Sequence, residues 1–278
     1  MTEFVTAYAQ QLYLLAEEGA VQAKKDGATY WYIDGSFPEE YPEHWPDERI
    51  TALNKLTQEL AVKPIFHGNF KVSLASDVEQ VRQAAVAHVL KEVDLAAKLS
   101  APLIIHGGAI VEPRLVIKAK KDALDQYVRS LETIVAYAKQ KNVTILLENL
   151  SNYKNYRPFH YIFTTPDEYR YVFERIGDEH VKFFFDVGHA VICEGDPVAV
   201  IEEFHHRIWG MSFSNNDGVR DLHLGLDQGL ISYHDVVKKI VECQWQGVIA
   251  FEVRGREFER NVRDLEEIYQ AVETRDAA

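Results

Sequence analysis

Short runs of Val, Ile, Leu and Phe recur along the chain, separated by longer stretches in which apolar residues fall three and four apart. The runs read as strands over Phe4–Tyr8, Ala28–Ile33, Val62–Phe66, Pro102–Ile105, Val143–Leu147, Val181–Phe185, Ile208–Phe213 and Val248–Phe251. The stretches between them read as helices: one ending near Lys25, one capped by Asp47 and running to about Leu60, Asp77 to about Leu99, and Lys118 to about Lys141. Further helices start at Pro166, span Tyr233–Cys243 and run from Glu259 to about Val272. The Asp77 helix sets Val78, Val81, Ala85, Val89, Val93 and Ala96 on one face at helical steps. Strands apolar on both faces belong to a parallel sheet covered on both sides. Eight strand–helix units in 278 residues predict a single domain over 1–278, a closed α/β (β/α)8 TIM barrel. An open doubly wound sheet would want a Gly-rich phosphate turn after the first strand, and none is present. Three long loops remain: Ser36–Pro46, Leu150–Thr165 and Ser214 to about Ile231.

The residues that close these runs are polar. Glu148 follows Thr-Ile-Leu-Leu, Asp186 follows Lys-Phe-Phe-Phe, and Glu252 follows Val-Ile-Ala-Phe; His67 and His106 close two more runs. A buried charge is costly unless it is paired or holds a metal. A lone strand-end His or Asp is more often a hydrogen-bonded core residue or a helix cap. The repetition on five of eight strands is what favours a metal centre. A closed barrel brings these ends to one mouth, together with His189, Ser212 and the loop pair Asp221 and His223. Imidazole with carboxylate suits Mn, Zn, Fe or Co, whereas Ca and Mg prefer oxygen alone. Asn149 and Arg254 flank the carboxylates and are candidates for orienting ligands or binding substrate oxygens. His88, His205, His206 and His234 read as structural, the Lys-Lys pairs as solvated helix faces, and Cys193 as a packing residue. The tyrosines and Arg157 of the 152–163 loop serve either as a lid or as rim packing.

Composition narrows the class. A hydrophobic content of 47% supplies a large core, and no apolar run approaches the roughly 20 residues of a membrane span. Two distant cysteines and an N-terminus without a basic-then-apolar pattern make a reduced, cytoplasmic compartment the expectation. A net charge of −13 disfavours a broad nucleic-acid surface. Helices ringing a barrel also offer faces for a homo-oligomer.

The motifs His67-Gly-Asn, His106-Gly-Gly, Glu148-Asn149, Asp186-Val-Gly-His189, Asp221-Leu-His223-Leu-Gly and the final Glu252 occur in this order, each at its own strand. In this the chain resembles the xylose isomerase-like barrel superfamily, which contains sugar-phosphate isomerases and epimerases and the endonuclease IV type of abasic-site nuclease. The resemblance implies that Glu148, Asp186 and Glu252 hold a divalent metal with a His of the seventh strand. It also implies that Glu148 and Glu252 move protons on a carbon of a small sugar, polyol or sugar phosphate. In the nuclease branch His67, His106 and Glu148 hold one zinc, and His189, Asp221 and His223 another. One position departs: Ser212 stands where the seventh-strand histidine belongs. Either water or substrate fills that place, or the metal shifts toward His67 and His106, or the barrel has become a non-catalytic module that binds a small ligand.

Overall fold

The computed structural model describes residues 4–9, 14–153, 158–193, 195–254 and 257–276. Tyr156 and Arg157 of the expected lid lie outside them. Eight strands close a parallel barrel in chain order: β1 (Val5–Tyr8), β2 (Tyr30–Asp34), β3 (Lys63–His67), β4 (Leu103–His106), β6 (Ile145–Glu148), β8 (Val181–Asp186), β9 (Ile208–Phe213) and β10 (Val248–Phe251), which pairs back onto β1. Nearly every residue of β4, β6, β8 and β10 is buried, as expected of strands covered on both faces.

The period of two divides each strand between two cores. One parity points outward at the helices: Phe66, Ile105, Leu147, Phe183, Phe185 and Phe251 join the large core under α1 (Ala16–Lys25), α2 (Asp47–Leu60), α3 (Glu79–Leu99), α4 (Val116–Gln140) and α5 (Pro166–Ile176). The other parity points inward and forms a separate plug of Ala7, Tyr32, Ile65, Ile104, Leu146, Phe184, Val248 and Ala250. The next inward position along each strand lies above this plug. There the sequence has Asp34, His67, His106, Glu148, Asp186, Ser212 and Glu252. The chemistry is therefore one layer of the barrel interior.

Three details differ from the pattern-based expectation. Pro46 is the residue that precedes α2, so Asp47 lies inside the first turn and ion-pairs with Lys98 at 2.8 Å instead of capping. The 150–165 loop is not wholly irregular: β7 (Phe159–Tyr161) pairs antiparallel with β5 (Ala109–Val111), a small ribbon outside the barrel. Two short helices, α6 (Val187–Ile192) and α7 (Pro197–Phe204), connect β8 to β9 where the pattern left the chain unassigned. The chain ends with α8 (Tyr233–Glu242) and α9 (Phe258–Asp276) flanking β10. Among the described residues, no helix is long and apolar enough to cross a membrane.

Candidate active site

A cavity of about 800 Å³ opens at the C-terminal mouth of the barrel. His67, His106, Glu148, His189, Asp221, His223, Glu252 and Arg254 all line it. Asp186, Asn149 and Ser212 lie buried in the layer that carries these groups and do not line the wall.

Strand register places the first group. His106 pairs with Glu148 across β4 and β6, and both His106 Nε2 and His67 Nε2 approach Glu148 Oε2, at 3.1 and 3.3 Å. On the far side of Glu148, Asp186 uses Oδ1 to accept from the His189 amide at 2.6 Å, capping α6, which returns the His189 ring to the site. Two trios, His67–His106–Glu148 and Glu148–Asp186–His189, each have ligand atoms within 4.8 Å of one another, and Glu148 belongs to both. Asn149 holds these strand ends together: its amide donates to the Asp186 carbonyl at 2.9 Å and accepts from the Asp186 N–H at 2.7 Å. The β6–β8 ladder is thus extended by one side chain.

The strand-nine loop supplies the second group. Asp221 Oδ2 lies 3.3 Å from His189 Nε2 and 3.0 Å from His223 Nε2. Each imidazole is held from behind by a backbone carbonyl. His189 Nδ1 donates to Asn149 at 2.8 Å, and His223 Nδ1 donates to Glu252 at 2.8 Å. These bonds fix the rings with Nε2 facing the cavity. His223 achieves this from a left-handed backbone at φ 49°, a conformation that surrounding structure must enforce in a non-glycine residue.

Burial and charge push these groups apart. Burial works to raise the Glu148 pKa, but hydrogen bonds from His106 and His67 outweigh it and the net shift is downward. At Glu252 burial, then the Glu148 charge, push the pKa up, and the charges of His223, His67 and His189 offset this only in part. Burial and the neighbouring carboxylates raise Asp186 to about 7. For His67 and His223 burial is opposed and outweighed by Glu148 and Asp221 respectively, leaving both at about 9. Burial dominates at His106, whose pKa falls.

These shifts predict a pH window for stability. His67 and His223 bind protons more tightly folded than at the ordinary 6.5, and Asp186 more tightly than at 3.8. Their proton-linked stabilisation is complete below the unfolded values and is lost as pH rises through the folded ones. In chelator, Tm is expected to fall steadily from pH 6.5 to pH 9; a flat or rising Tm in that window would contradict the charge pattern.

The donor set fits a divalent transition metal. Asp186 Oδ2, Glu252 Oε1 and Ser212 Oγ are buried without a hydrogen-bond partner among the described residues. Asp186 Oδ2 has only His189 Nδ1 near it, at 3.6 Å, and carboxylate oxygens buried without a hydrogen bond are costly unless a cation satisfies them. Imidazole nitrogens mixed with carboxylate oxygens suit Mn, Zn, Fe or Co.

Sequence reasoning did not single out the wall residues Tyr32, Asp34 and Phe70, whereas Tyr153 and Tyr161, tyrosines of the loop read as a lid or as rim packing, do line the wall. Asp34 ends its run as the other strand-end candidates do, so the same signal was available for it, and Tyr32 shares its parity two residues earlier. Tyr32 stacks on His67 with ring centroids 5.4 Å apart. Tyr153 and Tyr161 come from the loop whose course the pattern could not supply.

A family model described as xylose isomerase-like TIM barrel matches residues 21–274. The uncharacterized protein MJ1311 of Methanocaldococcus jannaschii is 27% identical over 222 residues, which is 78% of this chain and 71% of that protein. A D-tagatose 3-epimerase-like protein of known structure superposes with a TM-score of 0.84 at 22% identity, over 98% of this chain and 99% of that one. An L-ribulose 3-epimerase does so with a TM-score of 0.79 at 13% identity, over 99% and 97% of the two chains. At these identities the two structures speak for the fold. With that fold, and with the motifs in order from His67 to Glu252, the chain belongs to the xylose isomerase-like TIM barrel family.

Proposed function

We propose that this barrel is a divalent-metal-dependent isomerase or epimerase of a small sugar, polyol or sugar phosphate. The observation that carries the reading is the pair of glutamates in one cavity whose proton affinities are driven in opposite directions, Glu148 down and Glu252 up. Groups separated in this way take up distinct acid–base roles. Glu148, Asp186 and the histidines around them would hold the metal. A bound Mn, Zn, Fe or Co ion would act as a Lewis acid on the substrate's oxygens and so acidify the adjacent carbon-bound proton. Glu252, the more basic carboxylate, takes that proton and returns it to the same or the neighbouring carbon. Arg254 steadies a substrate oxygen or phosphate at the wall, and Tyr153, Tyr161 and Phe70 cover the apolar face of a sugar. The names of the two superposed structures, a D-tagatose 3-epimerase-like protein and an L-ribulose 3-epimerase, support this substrate class.

The test is metal content. Protein purified without chelator or affinity metal is expected to carry about one equivalent of Mn, Zn, Fe or Co by elemental mass spectrometry. A Glu148→Gln, Glu252→Gln double variant is expected to have lost it. Incubation with ketoses, inososes and their phosphates in heavy water should then place deuterium on one substrate carbon. Wild type and variant alike devoid of metal after loading would sink the reading, leaving a non-catalytic binding barrel.

One observation favours a second reading, an endonuclease IV-like phosphodiesterase. Glu148 is shared by two ligand trios, with Asp221 and His223 adjacent, which is a multi-metal arrangement. Chelator-sensitive incision of an abasic duplex would establish it; the net charge of −13 speaks against it.

A further inference from the structure

We propose that Glu92, on a helix outside the barrel, is a positioning residue for the His67–His106 half of the site; this rests on the metal reading above. Glu92 is completely buried on α3, and its Oε1 accepts from the Asn69 N–H at 2.8 Å. Asn69 belongs to the turn that follows His67. The same turn is tied to both neighbouring strands, with the Gly35 N–H donating to the His67 carbonyl at 2.7 Å and the Gly68 N–H to the Ile104 carbonyl at 2.9 Å. The carboxylate crowds the space that side chains at two glycines would need, behind the closer Phe66 ring and the His67 and Ile104 carbonyls. A Cβ on Gly35 would come within 3.2 Å of Glu92 Oε1, and one on Gly68 within 3.1 Å of Oε2. His88 Nε2, one turn earlier on α3 and only partly buried, lies 3.3 Å from Oε1 and balances the charge.

One oxygen and one nitrogen remain. Glu92 Oε2 and His106 Nδ1 are both buried without a hydrogen-bond partner among the described residues. Both residues line one narrow crevice, with Gly68, Asn69 and Val89, that has no room for a water molecule. His189 and His223 each have an acceptor behind Nδ1. For His106, whose Nε2 faces Glu148, the unpartnered acceptor that shares this crevice is Glu92 Oε2. Once Nε2 is engaged as a ligand, Nδ1–H donates to it and locks the ring.

Glu92→Gln and Glu92→Leu separate the two contacts. The glutamine keeps an oxygen for Asn69 but offers an NH2 group where His106 Nδ1–H needs an acceptor. Cobalt(II) titration by visible absorbance is expected to show affinity reduced about 10- to 100-fold in Glu92→Gln, with the Asn69 amide as protected from hydrogen exchange as in wild type. Glu92→Leu is expected to lose cobalt affinity at least as far and to exchange the Asn69 amide faster. Wild-type cobalt affinity in Glu92→Gln would overturn the His106 contact. A wild type that takes up no cobalt would overturn the metal reading instead, and the Asn69 amide in Glu92→Leu would then decide the turn: faster exchange upholds the clamp, unchanged exchange removes it.

Discussion

Replacing Glu252 by glutamine is expected to slow exchange of the substrate's carbon-bound proton by about 10²- to 10⁴-fold, the range for a positioned acid–base group, without unfolding the barrel. Glutamine keeps the size of the side chain. The backbone contacts of the position are untouched, since the Glu252 N–H donates to the Phe213 carbonyl at 3.2 Å and its own carbonyl accepts from His223 Nδ1. What is lost is a partly exposed carboxylate whose buried Oε1 has no hydrogen-bond partner and whose pKa is raised, first by desolvation and then by the charge of Glu148. Such a group is a better base than a solvated glutamate. Glu148 is the poorer base, because hydrogen bonds from two imidazoles lower its pKa. Exchange is to be measured in heavy water at saturating metal, with metal content determined in parallel. Undiminished exchange in Glu252→Gln, with loss in Glu148→Gln at equal metal content, would transfer the role to Glu148.

Ser212→His is expected to raise affinity for manganese or cobalt by at least about tenfold, since even partners behind a ligand are worth 10- to 100-fold. Ser212 pairs with Asp186 on one side and Ala250 on the other, on the inward parity, and its buried hydroxyl has no partner. An imidazole there would join the same layer as Asp186 and Glu252. The added volume carries an overpacking cost of about 1–3 kcal/mol, so Tm is to be recorded alongside. Ser212→Ala is the control and should leave affinity unchanged. Unchanged affinity in a well-folded Ser212→His protein would mean that the ion is held toward His67 and His106, out of reach of β9.

Most of the barrel was legible because its strands announce themselves twice. Runs such as Ile104-Ile105 and Phe183-Phe184-Phe185 are apolar on both faces, and the residue that ends each run breaks the rule. The β5–β7 ribbon was not legible, because three-residue strands within loops carry no period. The Asp47 cap failed because Pro46 supplies the extended residue before α2 and leaves Asp47 within the first turn. Within the site, strand-end residues could be read from position alone. Asp186 shows why the cap and the ligand readings compete: one oxygen caps α6 and the other has no hydrogen bond, only His189 Nδ1 at 3.6 Å. Tyr153 and Tyr161 depend on the path of a long loop, which local sequence does not encode. The role assigned to Glu92 was out of reach in the sequence, since an acidic residue on an outer helix reads as solvated until its burial is seen.

The plug of Tyr32, Ile65, Ile104, Leu146 and Phe184 has a consequence for the order of events. It closes the barrel below the layer of strand-end polar residues, so the proposed ion and sugar would share the mouth as their route. Asp186 and Glu148 are almost wholly buried in that layer. If the site works as proposed, an ion bound there would arrive before the sugar and depart after it. On the proposed function, binding would be sequential, with the metal first, and a bound sugar would slow metal exchange.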